Sequence, residues 1–481
     1  MAAAVWMALS MPAASWATTF TVAPGQSIQA AVDKAGAGDV VRVLAGEYRE
    51  KVLISGKSGT ASAPITVKAD TGVLVSGITL QPDGREGLIT IRNSKYVRVE
   101  GFELAAFTSG NVNNTPVGIL VEGSGANLDI VNNKIHDIQH TNTCTDECSA
   151  GAHGLAVFGT NTTGITDILI QGNEVYKNVL QSSEALVING NVDRFEVLNN
   201  YVHDNNNIGF DFIGYESECS GCGEKNRARN GIVRGNRAVN NSSGKNTWYR
   251  GERSAAGFYV DGGRYIVFDR NISSGNDLGF EFASEHAGKA TEDIVMSNNF
   301  VFKNTEVGLT MGGYESGLGS AKRIHVHNNS FYKNKGWGTE IVFQHKVIDA
   351  RLTNNIFFGT GAATANFADL GSGHSGNVWG TNLWWGTSTA GSMMPGLSVL
   401  ADPRYVAPES GNLNLQATSP AINVGATSVA LTGWSSPLWS RYYPGGAIAV
   451  NGVADINGQA RIEGIIDLGA DEYGSAPAGT R

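Results

Sequence analysis

The hydrophobic and polar positions of the chain recur in one short motif, an alternating apolar strand that ends in one or two asparagines. Eight copies run between residues 130 and 355, and they end at Asn133, Asn173, Asn200, Asn236, Asn271, Asn299, Asn329 and Asn355. Period-two alternation buries one face of a strand, and asparagine tolerates the left-handed backbone of a tight turn. The repeat predicts successive turns of one coil, with the asparagine amides stacked from turn to turn.

A second apolar strand lies between the asparagine turns and begins with glycine or alanine. Its six copies share one register and occupy residues 154–157, 185–188, 209–212, 257–260, 279–282 and 308–311. Each coil buries its apolar face only by stacking on its neighbours. We therefore predict an all-β fold, a right-handed parallel β-helix solenoid, whose longer coils form loops that wall a groove.

Composition agrees with a repetitive, turn-rich protein. The 481 residues include 62 glycines and 12 prolines, yet 41% are hydrophobic, which is enough for a packed interior. The formal net charge of −9 argues against a nucleic-acid partner, because such surfaces are normally basic. No stretch of about twenty apolar residues predicts a membrane span.

The N-terminus and the cysteines indicate an exported protein. Residues 1–17 are mostly apolar and end in Ser15-Trp16-Ala17, which predicts a signal peptide without its positively charged start and a secreted or periplasmic location. The four cysteines form two close pairs, 144 with 148 and 219 with 222 in sequence, and predict two disulfides of open connectivity. A four-thiolate zinc site is the alternative if the two loops meet.

The first segment predicts a cap for the solenoid. Residues 26–32 have the pattern of a short amphipathic helix, and residues 38–43 and 46–48 that of the first strands. The run 25–65 closely resembles the N-terminal region of secreted β-helix polysaccharide lyases of the chondroitinase B, alginate lyase and pectate lyase types. The resemblance extends over about residues 20–360. It implies a β-helix that processes a polysaccharide.

Domain boundaries follow from the change of pattern near residue 400. We predict a β-helix with an N-terminal capping helix over residues 18–400, and a small C-terminal tail module over residues 401–481 that packs on the last coils. The acidic residues of this module are interpreted as turn formers. Oligomeric state is left open by the sequence.

Candidate chemistry lies on the outward positions of the glycine-led strands. Consecutive rungs are about 4.8 Å apart, so outward residues line up in rows. Asp211, Tyr259 and Glu281 occupy one row, Asp261 lies two positions after Tyr259, and Glu285 begins the next loop. Stacked like charges destabilise a sheet, so the cluster predicts an active site rather than a structural feature.

Asp261 and Glu281 are the predicted catalytic pair, with Asp211 and Glu285 as supporting carboxylates. The register separates the two carboxyl groups by about 5–9 Å, the range that glycosidases use. Crowded acids raise one pKa and so provide a general acid. The segments 261–263 and 283–286 are also similar in layout to β-helix glycosidases of the β-xylosidase type. This interpretation predicts a glycoside hydrolase that requires no cofactor.

The predicted partner is a polysaccharide or oligosaccharide. Candidate substrate-binding residues are the aromatic and polar side chains that flank the acidic strands, namely Glu216, Tyr215, Tyr259, Arg264, His286, Trp248 and Tyr314. His153 and Glu184 precede glycine-led strands and are interpreted as turn contacts. His325 and His327 belong to an asparagine-turn strand and are interpreted as surface residues.

Two alternatives use the same face differently. In a calcium-dependent polysaccharide lyase, Asp211, Asp261 and Glu281 would hold Ca²⁺ and a basic side chain would abstract the proton next to a uronate carboxyl. The aligned outward positions contain no basic residue, and the candidates from nearby segments are Arg250, Arg253, Arg264 and Lys346. The second alternative is a non-catalytic glycan-binding protein or adhesin, which would have no turnover to lose on substitution of Asp261 or Glu281.

Overall fold

The computed structural model describes residues 17–145, 147–334, 336–359, 366–387 and 398–475. Except for Ala17, the predicted signal peptide lies outside the described residues. Within the described chain, no helix combines the length and apolar character that a membrane crossing requires.

Parallel strands form most of the structure, and the all-β parallel β-helix is confirmed. The strands of the first sheet are Thr19–Val22, Val40–Val43, Val52–Ser55, Ile65–Ala69, Arg85–Glu100, Thr115–Val131, His153–Gly159, Ile165–Gln171, Leu186–Leu198, Phe210–Ile213, Arg227–Arg234, Ala256–Asp261, Arg264–Asp269, Leu278–Ala283, Ala290–Ser297, Val307–Met311, Ser320–His327, Ile341–Phe343, Val347–Ile348, Arg351–Thr353, Phe367–Asp369 and Val378–Trp379. The glycine-led and asparagine-turn strands both belong to this sheet, because several strands run through both faces without a break.

A second sheet of short strands forms another face of each coil. Its strands are Gly46–Tyr48, Val73–Ser76, Glu103–Ala105, Lys134–His136, Glu174–Tyr176, Tyr201–His203, Arg237–Val239, Ile272–Ser274, Phe300–Phe302, Ser330–Tyr332, Ile356–Phe358, Leu383–Trp385 and Val399–Leu400. The sequence pattern predicted the first of these strands, Gly46–Tyr48, and did not predict the others. Smaller pairings join Thr108–Ser109 to Gln139–His140 in parallel, and Tyr405–Ala407 to Asn412–Leu415 antiparallel.

The predicted asparagine stack is a buried ladder. Each amide NH₂ donates to the carboxamide oxygen of the next coil over 2.8–3.0 Å, in the order Asn133, Asn173, Asn200, Asn236, Asn271, Asn299, Asn329, Asn355 and Asn382. In the Asn-Asn pairs the first residue takes the left-handed conformation, as at Asn132 with φ 56°. The two asparagines of a pair therefore have different roles. The first forms the turn, and the second joins neighbouring coils by its side-chain hydrogen bonds.

A second buried ladder runs along the next corner and was not predicted. It consists of Asn178, Asn205, Asn241, Asn276, Asn304 and Asn334. Glu340 ends it by accepting the Asn334 amide at 2.6 Å, and burial raises the pKa of Glu340 well above its usual range. These bonds satisfy polar groups that would otherwise be costly inside the coil.

Two α-helices lie among the described residues, and the first of them, Ile28–Lys34, packs on the first strands. Its N-cap residue Ser27 accepts the N–H of Ala30, and Ile28 and Val32 are buried in the core at the first coil. The apolar face of the helix therefore packs against the buried side chains of the first coil. The second α-helix, Pro437–Tyr442, belongs to the C-terminal region.

The C-terminal residues cover two faces of the coils. Trp434 and Trp439 pack with Val267 and Val295 of the asparagine-turn strands, and Leu413 packs against the second sheet. This contact corrects the interpretation of His325 and His327 as surface residues. They are 7% and 2% exposed, and the His327 Nδ1 lies 3.2 Å from the Ser428 hydroxyl.

The cysteines form two short-range disulfides, Cys144–Cys148 and Cys219–Cys222. Each bond closes within its own loop. Because all four sulfurs are in disulfides, the four-thiolate zinc site is wrong.

Candidate active site

The predicted row of outward residues is present with the expected register. Asp211 pairs with Tyr259 on the next coil, Tyr259 pairs with Glu281, and Glu281 pairs with Thr310. The alternate residues Phe210, Phe258 and Phe280 stack inside the coil with ring centroids 4.7 Å apart. The apolar alternation thus holds the polar row on the outer face.

Asp261 ends the strand that carries Tyr259 and lies opposite Ala283 on the next coil. The backbone N–H of Glu285 donates to its Oδ1 over 2.8 Å, so the loop after the next strand closes onto this carboxylate. The Tyr259 hydroxyl lies 3.3 Å from Glu285 Oε1 and donates to it. Asp261, Tyr259 and Glu285 are therefore linked across two coils.

Loops roof this face and enclose a cavity of about 550 Å³. Of the predicted residues, those that line it are Asp211, Glu216, Trp248, Tyr259, Asp261, Glu281, Glu285 and Tyr314. Residues that were not predicted to form the site also line it, among them Ser182, Glu184, Tyr249, Glu252, Trp337 and Gln344. Sequence register locates the floor of this site, and the loops supply its walls.

The acids of the cavity bind protons unusually tightly. Burial, together with the charge of Glu285, raises the pKa of Glu281 to about 8. Burial first and then neighbouring acids raise the pKa of Asp211 and of Asp261 well above the usual carboxyl range. Burial also raises the pKa of Glu216, which the nearby His286 opposes. The cavity therefore contains carboxyl groups that keep protons near neutral pH.

Glu184 is a cavity residue that the sequence interpretation set aside. Burial and the charge of Glu216 raise its pKa to about 8. His153 lies beside it, with Nδ1 3.0 Å from the backbone oxygen of Glu184, and burial lowers the pKa of His153 to about 4. The sequence signal for Glu184 was its position directly before the strand copy at residues 185–188, which places it close to the outward row.

The loop that carries Glu216 is tied down from a distant coil. Arg85 makes two bonds to Glu218, at 2.8 and 2.9 Å, and also bonds Glu122. Its guanidinium lies 3.7 Å from the ring centroid of Phe158. These contacts fix the loop two residues from Glu216.

Several predicted residues lie outside the cavity lining. Tyr215 turns away at φ 72°, its hydroxyl donates to Glu224, and its ring lies against the cations of Arg227 and Lys289. Arg264 pairs with Asp293 at 2.9 Å on the asparagine-turn face. The positions of Tyr215 and Arg264 therefore argue against a role of either residue in substrate binding.

Of the basic residues that were candidates for an elimination reaction, some line the cavity and others do not. The Lys346 ammonium donates to the backbone oxygen of Leu318, and neither Lys346 nor Arg250 belongs to the cavity lining. Arg253 does line the cavity, and its Nη1 lies 3.2 Å from Asp277 Oδ1.

A metal-ligand geometry forms at a different set of residues from the one predicted. In the described chain, Glu216, Asp261 and His286 bring one ligand atom each to within 4.8 Å of one another, whereas Asp211, Asp261 and Glu281 are not gathered in this way. Calcium prefers six to eight oxygen ligands. A set of two carboxylates and one imidazole does not fit that preference.

No protein-family model matches this sequence. The Bacillus subtilis (strain 168) protein with the name Uncharacterized protein YwoF is 36% identical over 340 residues, which are 69% of this chain and 70% of that protein. The chain belongs to the YwoF family.

The fold of this YwoF-family member is similar to those of several solved structures. The A-module of the mannuronan C-5 epimerase AlgE4 from Azotobacter vinelandii aligns with TM-score 0.52 and 16% identity, over 78% of this chain and 95% of the module. Pectate lyase Pel9A aligns with TM-score 0.47 and 15% identity over 88% and 94% of the two chains. The GH136 lacto-N-biosidase from Eubacterium ramulus gives 0.47 and 13% over 80% and 67%. At these identities the AlgE4 likeness shows the parallel β-helix fold of the YwoF-family chain.

Proposed function

We propose that this protein is a glycoside hydrolase that cleaves a polysaccharide or oligosaccharide with Glu281 and Asp261. The observation that carries the proposal is that both acids face one cavity from neighbouring coils while the pKa of Glu281 is raised to about 8. A carboxyl group that keeps its proton at neutral pH suits general acid catalysis. The shared fold with a mannuronan epimerase supports a carbohydrate substrate, and the two disulfides favour an extracellular or periplasmic location.

The proposed step uses the two carboxyl groups on opposite sides of the bond. Glu281 gives its proton to the glycosidic oxygen as the bond from that oxygen to the anomeric carbon breaks. Asp261, in the ionised form that the step requires, takes a proton from the water that attacks the anomeric carbon, and because burial raises the pKa of Asp261 this form increases as the pH rises. The N–H of Glu285 stabilises the ionised form of Asp261, and the other carboxylate oxygen accepts the proton.

The register favours inversion at the anomeric carbon. Tyr259 pairs with Glu281, and Asp261 is two residues beyond Tyr259 on the same strand, so the two acids are diagonal neighbours. Such positions are about 7–8 Å apart. Inverting enzymes separate their carboxyl groups by about 6.5–9.5 Å to admit a water molecule.

The testing experiment is a digestion panel of neutral, amino and uronate polysaccharides, with and without a chelator. Hydrolysis is expected to create new reducing ends, without the ultraviolet absorbance of unsaturated uronates, and chelation should leave the rate unchanged. NMR of the first product should show the inverted anomer. Ultraviolet absorbance from unsaturated uronates at the new chain ends would contradict hydrolysis.

Amide variants connect the reaction to the proposed residues. Glu281→Gln and Asp261→Asn should each lower turnover by about 10²- to 10⁴-fold with the fold intact, because one proton transfer is lost. Glu315→Gln is the matched control, since Glu315 is an exposed acid outside the cavity lining. Binding of a glycan without turnover by the wild-type chain would instead indicate a glycan-binding protein.

Arg253 favours a second candidate, cleavage of a uronate polymer by β-elimination. It lines the cavity and is the basic group placed to approach a substrate there. In that reaction the base removes the proton next to the uronate carboxyl, the bond from the ring carbon to the glycosidic oxygen breaks as a carbon–carbon double bond forms, and the leaving oxygen takes a proton from water. Absorbance that Arg253→Gln abolishes and Glu281→Gln retains would establish this candidate in place of hydrolysis.

A further inference from the structure

The cavity has a large excess of acidic groups over basic ones. The acids that line it are Glu184, Asp211, Glu216, Glu252, Asp261, Glu281 and Glu285. Among the described lining residues, Arg253 is the one cation, and Asp277 already pairs with it at 3.2 Å. A hydrolase needs two carboxyl groups for its chemistry, so most of these acids have no role in the proposed reaction.

Asp211 is the acid that points most directly to a missing ligand. It is 2% exposed, it lines the cavity, and its Oδ1 has no hydrogen-bond partner among the described residues. A buried carboxylate oxygen without a donor is costly. A ligand that brings N–H groups or a positive charge to Asp211 would remove this cost.

Aromatic rings form the remaining walls of the cavity. They belong to Trp248, Tyr249, Tyr259, Tyr314 and Trp337. Trp248 and Tyr249 meet edge to face with centroids 4.8 Å apart. Flat aromatic faces pack against sugar rings and attract organic cations, at about 0.5–2 kcal/mol for each contact. Acids and aromatic faces together are complementary to a cation with an apolar body.

We propose that the substrate is cationic, a polysaccharide or oligosaccharide of amino sugars with free ammonium groups, and that Asp211 and Glu184 bind one ammonium group. The assignment rests on the proposed function for the cleavage step, whereas the binding stands on the cavity itself. A uronate at the same place would meet seven acids and one paired arginine.

A divalent metal ion explains less of the cavity than an ammonium group. The ligand atoms that converge belong to Glu216, Asp261 and His286, and His286 is not part of the cavity lining. Asp211 and Glu184 do not belong to this set, so a metal ion there gives the buried Oδ1 of Asp211 no partner. An ammonium group on each of several linked sugars, by contrast, can reach acids that are distributed along the coils.

Binding should release protons from the cavity. The titratable and charged groups that face it are the seven lining acids, Tyr249, Tyr259, Tyr314 and Arg253. A cation beside Glu184 lowers the pKa of that carboxyl from about 8. The binding enthalpy measured at pH 6.5 should therefore depend on the ionisation enthalpy of the buffer.

The test is calorimetric titration of the full chain at pH 6.5, with chelator present, by glucosamine, N-acetylglucosamine and galacturonate pentasaccharides. The glucosamine pentasaccharide should bind at least tenfold more tightly than the acetylated one, and galacturonate should not bind. Asp211→Asn should reduce this preference at least fivefold, while the control Glu315→Gln should leave it unchanged. Asparagine has nearly the same shape as a protonated aspartic acid, so Asp211→Asn is expected to fold, and its unfolding temperature checks this.

The possible results separate the inference from the proposed function. Preference for glucosamine without any cleavage would support the cationic ligand and reject the hydrolase. Cleavage of neutral glycans with equal affinity for both glucosamine forms would support the hydrolase and overturn the inference. Galacturonate binding that appears only when Ca²⁺ or Mn²⁺ is added would also overturn the inference, in favour of a metal-bridged uronate.

Discussion

Arg85 and Glu218 are 133 residues apart in sequence, yet they are joined by two hydrogen bonds of 2.8 and 2.9 Å. Arg85 belongs to an early coil, and Glu218 lies in the loop that brings Glu216 to the cavity. Both side chains are mostly covered, at 25% and 20% exposure. Bidentate, shielded ion pairs hold geometry better than exposed ones.

We predict that Glu218→Gln impairs substrate binding more than stability. Loss of the charge weakens the tether at Arg85, so Glu216 becomes less well placed and KM should rise about fivefold or more with kcat changed less. The measurement is steady-state kinetics together with the unfolding temperature. Arg42→Gln is the control, because its pair with Asp70 is far more exposed and distant from the cavity. An equal KM change in both variants would refute the tether.

We predict that Asn236→Ala strongly destabilises the fold. Asn236 is fully buried, donates to Asn271 at 3.0 Å and accepts the Asn200 amide at 3.0 Å. Its removal leaves buried polar groups without partners, which costs about 1–3 kcal/mol for each. The denaturant midpoint should fall clearly. Asn113→Ala, at an exposed turn, should change the free energy of unfolding by less than about 0.5 kcal/mol.

The sequence predicts the repeating floor of the site because period-two alternation specifies which side chains leave the coil. That rule alone places Asp211, Tyr259 and Glu281 in one row, as the structure has them. It does not reach the second sheet, whose strands of two to four residues are too short to show a period. Nor does it reveal the Asn178 ladder, whose asparagines follow no long apolar strand.

The conformations of loops explain why the sequence did not predict the positions of some residues, or predicted them wrongly. Trp337 reaches the cavity from a long coil, and nothing in its local pattern specifies that direction. Tyr215 follows an acidic strand closely, but its left-handed backbone turns the ring toward Arg227. His327 was assigned to the surface because strand alternation cannot show that the distant Ser428 covers it.

We predict that stability falls as the pH rises from 6.5 to 8.5 and that Glu281→Gln reduces this loss. The pKa of Glu281 is about 8 in the folded chain and 4.5 ordinarily, so the folded chain holds the proton more tightly. Unfolding then releases a proton between those values, and stability decreases with pH. Because Glu281 is partly exposed, solvent reduces the cost of its charge, and the variant should gain only about 1–2 kcal/mol at pH 8.5.

The histidines do not obscure this test. The pKa values of His153 and His325 are lowered to about 4 by burial, so they affect stability below their ordinary pKa of 6.5. Unfolding by denaturant at pH 6.5, 7.5 and 8.5 therefore reports mainly on the carboxyl groups. An identical pH slope in the wild-type chain and Glu281→Gln would show that Glu281 is ionised throughout.

We predict that the Cys144–Cys148 loop positions the cavity wall through Trp248. The indole N–H of Trp248 donates to the backbone oxygen of Cys148 over 3.0 Å, and the same ring lines the cavity. Trp248→Phe keeps an aromatic face but loses this bond, so the substrate KM should rise about two- to tenfold with kcat nearly constant. Cys144→Ser with Cys148→Ser should give the same change, since it frees the same loop, and the Trp248→Phe substitution should then add little to it. Additive effects in this double-variant cycle would mean that the disulfide and the indole act independently.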